Sequence, residues 1–219
     1  MDEIVTEKDA PLNIDSHEAH GNLWRGSSRC DVIPSSEECM AILTERLSVS
    51  KEVVAHSKKV AQVALHLTNA LNKEGCDLNA HLVVAASLLH DLAKGSRNHA
   101  SVAERFLREM NFNTVASVVG AHMSVEVLEE DQSISEREVV CLADNLVRGD
   151  KIVGVTERYR KKLDEWSYDI GACEAIAGRQ AKSLSLQRKL EARLGASVES
   201  LLRTLDEGNH AQEILYLPT

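Results

Sequence analysis

The segment "LVVAASLLHDLAKG", Leu82 to Gly95, decides the fold. From Leu82 to Leu89 it is apolar almost all the way round a helical wheel, the mark of a helix enclosed by others rather than one lying on a surface. It then ends in an adjacent His90 and Asp91, with Lys94 a turn further on. Buried charge is expensive unless something compensates it. The segment therefore predicts a central helix over 78–94 and calls for a partner to its polar end.

Helical periodicity extends in both directions. Over 50–73 the apolar stripe is Val53, Val60, Val63, Ala64, Leu67 and Leu71. His56 falls roughly 35° from its centre and His66 roughly 115° away. Over 113–128 the stripe is Val115, Val118, Val119 and Val125, with His122 at its middle. Over 135–165, Val139, Val140, Ala143 and Val147 line up with Asp144 at their edge. Further helices are expected over 36–47, 99–111 and 169–206. Ser35 and Glu38 have the spacing of a capping box for the first, and His99 starts the second. The links are short, with Gly75 and Gly95 as stop signals. No strand-like alternation persists. The class is all-α, with sequential helices packed antiparallel.

Composition narrows the function. The chain has 219 residues, is 43% apolar with only 3% aromatic, and carries a net charge of −9. That sign disfavours a general grip on a nucleic-acid polymer, though a small anionic substrate remains open. Five scattered cysteines without a Cys-x-x-Cys pair read as reduced thiols and argue against a thiolate metal site. No apolar run approaches the ~20 residues needed to span a bilayer, and the acidic N-terminus lacks a signal-peptide core. No membrane partner and a cytoplasmic location are expected. Three parts are expected: a polar arm over 1–33 with Trp24 as an anchor, one domain over 34–165, and a helical extension over 166–219. The extension could close the domain or make a homodimer face.

Taken singly, each inward histidine reads as a hydrogen-bonded core residue. His17, His20, His66, His81 and His210 keep that bland reading, as flank, helix-start or tail positions. The imidazoles of His56, His90 and His122 and the carboxylates of Asp91 and Asp144 are different, because together they need a shared counter-charge. A divalent metal supplies one, and imidazole with carboxylate suits Fe, Mn, Mg, Ni or Zn without distinguishing among them.

The order His56 … His90-Asp91 … Asp144 on successive helices resembles the signature of the HD superfamily of metal-dependent phosphohydrolases. Further segments carry the likeness: "VVAHSKKVAQVALHLTNALNKEG", "AASLLHDLAKG", "NHASVAERFLREMNF", "VVGAHMSVE" and "VVCLADNLVRGDKIVGVTERY". They are similar to the HD domain found alone or fused to molybdenum-cofactor-type nucleotidyltransferases, over roughly residues 34–165. The family's frequent His-Asp-Ile-Gly is His-Asp-Leu-Ala here, a change in packing more than in chemistry.

The resemblance implies an HD-domain helical bundle with a metal site in its core. His56, His90, Asp91 and Asp144 would hold a first ion. His99 and His122 would hold a second, with Asp91 as bridge. It also implies hydrolysis of a small phosphate ester, a nucleotide above all, by metal-activated water, with His90 and Asp91 at the centre of the chemistry and Asp91 orienting or deprotonating the water. Lys94 and Arg148 are candidate substrate-binding cations, and Lys94 a candidate catalytic one. Arg97 and Lys151 read as solvated charges, and the mixed-sign run "ERYRKKLDE" as a wet face. Two alternatives stay open. One is a di-iron oxygenase of the same superfamily, which also carries a Lys close after the pair. The other is a sensor module whose metal only staples the fold.

Overall fold

The computed structural model describes residues 31–123 and 133–207. Helix α1 (Ser36–Ala41) runs into a π turn (Ile42–Arg46). It is followed by α2 (Lys51–Lys73), α3 (Ala80–Leu89), α4 (His99–Glu109), α5 (Asn113–Ala121) and α6 (Glu136–Leu146). A minimal hairpin, β1 (Val147–Arg148) and β2 (Lys151–Ile152), precedes α7 (Val155–Glu165), α8 (Ile170–Leu194) and α9 (Val198–Glu207).

The starts are chemically marked. Glu38 N–H donates to Ser35 Oγ at 3.2 Å while Ser35 N–H donates to Glu38 Oε2 at 2.8 Å, which is the capping box expected. Ser50 caps α2 and Asn79 caps α3 through their side-chain oxygens. Asp31, at the end of the arm, accepts from Asn113 N–H at 2.8 Å and Thr114 N–H at 2.9 Å, so it closes the start of α5. Each such cap satisfies donors that a helix leaves bare at its first turn.

α3 is the hub. All residues from Leu82 to Leu89 are buried, and the helix packs against α1, α2, α5 and α6. α2 lies along α3 and α6 and also meets α8 and α9, while α8 rests on α6 and α7. Among the described residues the cysteines are unpaired thiols, and no helix is long and apolar enough to cross a membrane.

Four expected boundaries are corrected. The helix expected over 78–94 stops at Leu89, and the chain continues in tight turns closed by Leu92 N–H to Leu89 O and Lys94 N–H to Asp91 O. The helix expected over 113–128 ends at Ala121. The one expected over 169–206 breaks at Gly195, whose φ of 65° is left-handed. The largest difference is at 135–165, where the hairpin separates α6 from α7. Gly149 and Gly154 take φ of 58° and 79°, a region that glycine enters at little cost. Val153 and Gly154 N–H both bond Leu146 O, at 2.8 and 3.1 Å, and so satisfy the end of α6. Trp24, His17 and His20 of the arm, Val125 and His210 lie outside the described residues.

Candidate metal centre

Six polar side chains from five helices or their ends meet beside α3. His56 comes from the second turn of α2, and His90 caps the end of α3. Asp91 lies in the following turn, His99 opens α4, His122 follows α5 and Asp144 sits near the end of α6. His56, His90, Asp91, His122 and Asp144 are buried, and His99 is half-buried.

Two groups of three donors form. The ligand atoms of His56, His90 and Asp144 lie within 4.8 Å of one another, and so do those of Asp91, His99 and His122. Asp91 joins the groups. Its Oδ2 stands 3.7 Å from His56 Nε2 and 3.4 Å from His90 Nε2, while its Oδ1 stands 3.5 Å from His99 Nε2. Asp144 Oδ1 is 3.1 Å from His56 Nε2 and 3.7 Å from His90 Nε2.

Backbone carbonyls fix the imidazoles. His56 Nδ1 donates to Gly149 O at 2.9 Å, His90 Nδ1 to Ser87 O at 2.8 Å and His122 Nδ1 to Val119 O at 2.5 Å. A carbonyl oxygen only accepts, so each Nδ1 carries the proton and each Nε2 is turned into the cluster, as in histidines held for metal ligation. His90 Nε2 and His122 Nε2 are fully buried with no hydrogen-bond partner. Most of the donor separations are long for hydrogen bonds. They match the ~3.0–3.5 Å edges of a polyhedron with ~2.1 Å metal–ligand bonds. The donor set therefore fits one or two divalent ions, through nitrogen and oxygen alone.

The charges of the metal-free cluster agree with that geometry. Burial opposes charge on His90, but Asp91 and Asp144 override it and raise its pKa to about 10. Burial, and then the charge on His90, push His122 down to about 4. Burial would raise both carboxyls. For Asp91 the His90 imidazole and the Lys94 ammonium overcome it, and for Asp144 the Arg158 guanidinium and the His56 and His90 rings do, so both are held well below the usual carboxylate range.

A cavity of about 850 Å³ opens beside His56, with Lys94, Arg148, Arg158 and Lys161 among its walls. Lys94 Nζ donates to Asp91 Oδ2 at 2.5 Å, and Arg148 Nη2 lies 3.6 Å from Glu165 Oε1. Arg97 and Lys151 are exposed and do not line this cavity. His66 Nε2 donates to Leu201 O at 3.1 Å, and His81 is exposed, so both stay out of the cluster.

The run "ERYRKKLDE" corrects the expectation of a wet face. Arg160, with Glu157 and Asp164, does form an outward ladder. Arg158 instead has only 16% of its side chain exposed and reaches Asp144 Oδ1 at 3.2 Å and Oδ2 at 3.4 Å. Its Nη1 donates to Val147 O. Tyr159 is buried, with its hydroxyl donating to Asn145 Oδ1 at 2.8 Å. The glycines of "RGDKIVG" were the signal for the reversal that brings these side chains in.

Residues 53–149 match the family model of the HD domain, and all six clustered residues lie within that span. The chain is 27% identical over 146 residues to an uncharacterized protein of Methanocaldococcus jannaschii, covering 58% of this chain and 85% of that one. It is 32% identical over 100 residues to Ribonuclease Y of Treponema pallidum, covering 42% of this chain and 18% of that enzyme. No solved structure matches it significantly.

Proposed function

Because the chain carries an HD domain at residues 53–149, a domain of a metal-dependent hydrolase type, we propose that it hydrolyses a small phosphate ester, a nucleotide in the first instance. The observation that carries this reading is the pair of bare, buried Nε2 atoms of His90 and His122 on either side of Asp91. A divalent ion bound among these donors supplies Lewis acidity towards a phosphoryl oxygen and lowers the pKa of water.

The chain's own residues do the rest. His56, His90, Asp91 and Asp144 would hold a first ion, and Asp91, His99 and His122 would hold a second. Asp91, with one oxygen towards each group, would orient the attacking water. Lys94 and Arg148, both on the cavity wall, offset the charge of the ester. The cavity's volume suits a nucleotide-sized ligand. With a net charge of −9, the chain is better suited to a small anion at a local basic patch than to a polymer, whatever the partner of its Ribonuclease Y relative.

The test is metal analysis of purified protein, with phosphate release screened over nucleotides and sugar phosphates. Release that disappears on chelation supports the reading. A metal-loaded protein inert on every phosphate, or one that consumes oxygen instead, overturns it.

A further inference from the structure

Two cations sit on the two carboxylates of the cluster, one on each. Lys94 Nζ lies 2.5 Å from Asp91 Oδ2, and Arg158 Nη2 lies 3.2 Å from Asp144 Oδ1. Both cations also line the same cavity. We propose that Lys94 and Arg158 are a paired oxyanion site, neutralising Asp91 and Asp144 in the metal-free protein and turning to a dianionic oxyanion, such as a phosphate group, once a divalent ion takes those carboxylates. This rests on the metal-dependent reading above and adds a binding order and a residue, Arg158, that lies beyond the matched domain.

The atoms in contact carry the argument. Asp91 Oδ2, held by Lys94, is the oxygen that faces His56 and His90. Asp144 Oδ1, held by Arg158, is the oxygen that faces the same two rings. The cations therefore occupy the very oxygens that the ion would share, and like charges that close inside a buried cluster repel.

The charge count points the same way. With His90 neutral, as ligation requires, two carboxylates against one ammonium, one guanidinium and a divalent ion leave a surplus of two positive charges, which a phosphate monoester dianion cancels. Oxyanions are what guanidinium and ammonium groups bind best.

The two cations differ in freedom. The Lys94 side chain is 49% exposed on a flexible stem and can swing from Asp91 into the cavity. Arg158 is tethered by its bond to Val147 O, so its rigid, planar guanidinium keeps its place and presents Nη2 to an oxyanion that comes to it. Arg148 and Lys161 line the cavity too, but no contact ties either of them to Asp91 or Asp144.

The experiment is calorimetric titration of inorganic phosphate into metal-free and manganese-loaded protein, with unbound manganese removed, for wild type, Lys94→Gln, Arg158→Gln and Arg158→Lys. Wild type should bind phosphate at least tenfold more tightly when loaded. Lys94→Gln and Arg158→Gln should hold manganese at the wild-type stoichiometry and no more weakly, yet lose tenfold or more in phosphate affinity. Arg158→Lys should recover part of that loss. Equal phosphate binding with and without manganese, or variants that keep phosphate affinity, would overturn the proposal. So would an Arg158→Gln that folds, by circular dichroism, but loses manganese. If Arg158→Gln does not fold, half-exposed Lys94 still decides. Wild type that takes up no divalent ion defeats the proposed function, whereas loaded wild type indifferent to phosphate defeats only this inference.

Discussion

Asp144 and Arg158 are separated by fourteen residues, yet Arg158 Nη2 stands 3.2 Å from Asp144 Oδ1. A continuous helix would hold their backbones ~21 Å apart. The reversal at Gly149 closes that gap and does a second job, since Gly149 O accepts the His56 Nδ1 proton. One short hairpin thus orients a histidine from α2 and admits a guanidinium from α7.

Gly149 should be sensitive through its backbone and not through its space. Its φ is 58°, and a Cβ there would meet nothing within 4 Å. Gly149→Val is expected to cost ~1–2 kcal/mol from the left-handed conformation alone and to loosen His56. Gly149→Asn should cost much less, because Asn tolerates that region. Thermal melts of the two variants, with metal content beside them, check this. Equal melting temperatures would sink it.

His90 should be required for metal retention. It is fully buried, and its Nε2 is turned towards Asp91 and Asp144. Purified His90→Ala is expected to lose most of its bound metal, while His66→Ala, whose ring is engaged with Leu201 O, should keep the wild-type content. Elemental analysis of the three proteins is the measurement, and equal content in all of them would count against the site.

The sequence exposed part of this cluster because three of its members lie on or beside apolar faces, whereas His99 entered it through the family resemblance alone. His56, His122 and Asp144 could be phased against valine and leucine stripes, and the burial of all three agrees with that phasing. The enclosed character of α3 was equally plain from its composition. Helical phase failed where the helix was not continuous. Arg158 was read onto a wet face because its run mixes charge signs, and the single helix expected over 135–165 left out the reversal at Gly149 and Gly154 that turns it inward. The carbonyls of Ser87, Val119 and Gly149 that orient the rings leave no trace in side-chain pattern.

The metal-free protein should have a stability maximum near neutral pH. The pKa of His90 is raised from 6.5 to about 10 in the fold, so its stabilising effect is complete below pH 6.5 and is lost as pH rises towards 10. His122 is lowered from 6.5 to about 4, so its effect is present above pH 6.5 and is lost as pH falls towards 4. The depressed carboxyls of Asp91 and Asp144 add their own loss at still lower pH. Melting temperature of the chelator-treated protein should therefore fall on both sides of pH ~6.5. Metal loading should remove the alkaline fall, since a bound ion requires His90 without its extra proton.

Lys189 of α8 should be as important to stability as a core residue. Its Nζ lies 2.7 Å from Glu138 Oε1 of α6, with side-chain exposures of 13% and 8%. Glu138 also accepts from Ser135 N–H and Oγ at 2.9 Å, so the same carboxylate caps α6 and ties it to α8. Lys189→Met removes the cation and leaves that carboxylate buried against a thioether, which is expected to cost ~3 kcal/mol. Glu138→Gln combined with Lys189→Met should recover much of the loss, because no uncompensated charge remains and the amide oxygen can still accept from Ser135. Urea unfolding of the single and double variants separates the cases. If α8 were only loosely docked, Lys189→Met would shift the midpoint no more than a surface substitution does, and the double variant would show no recovery.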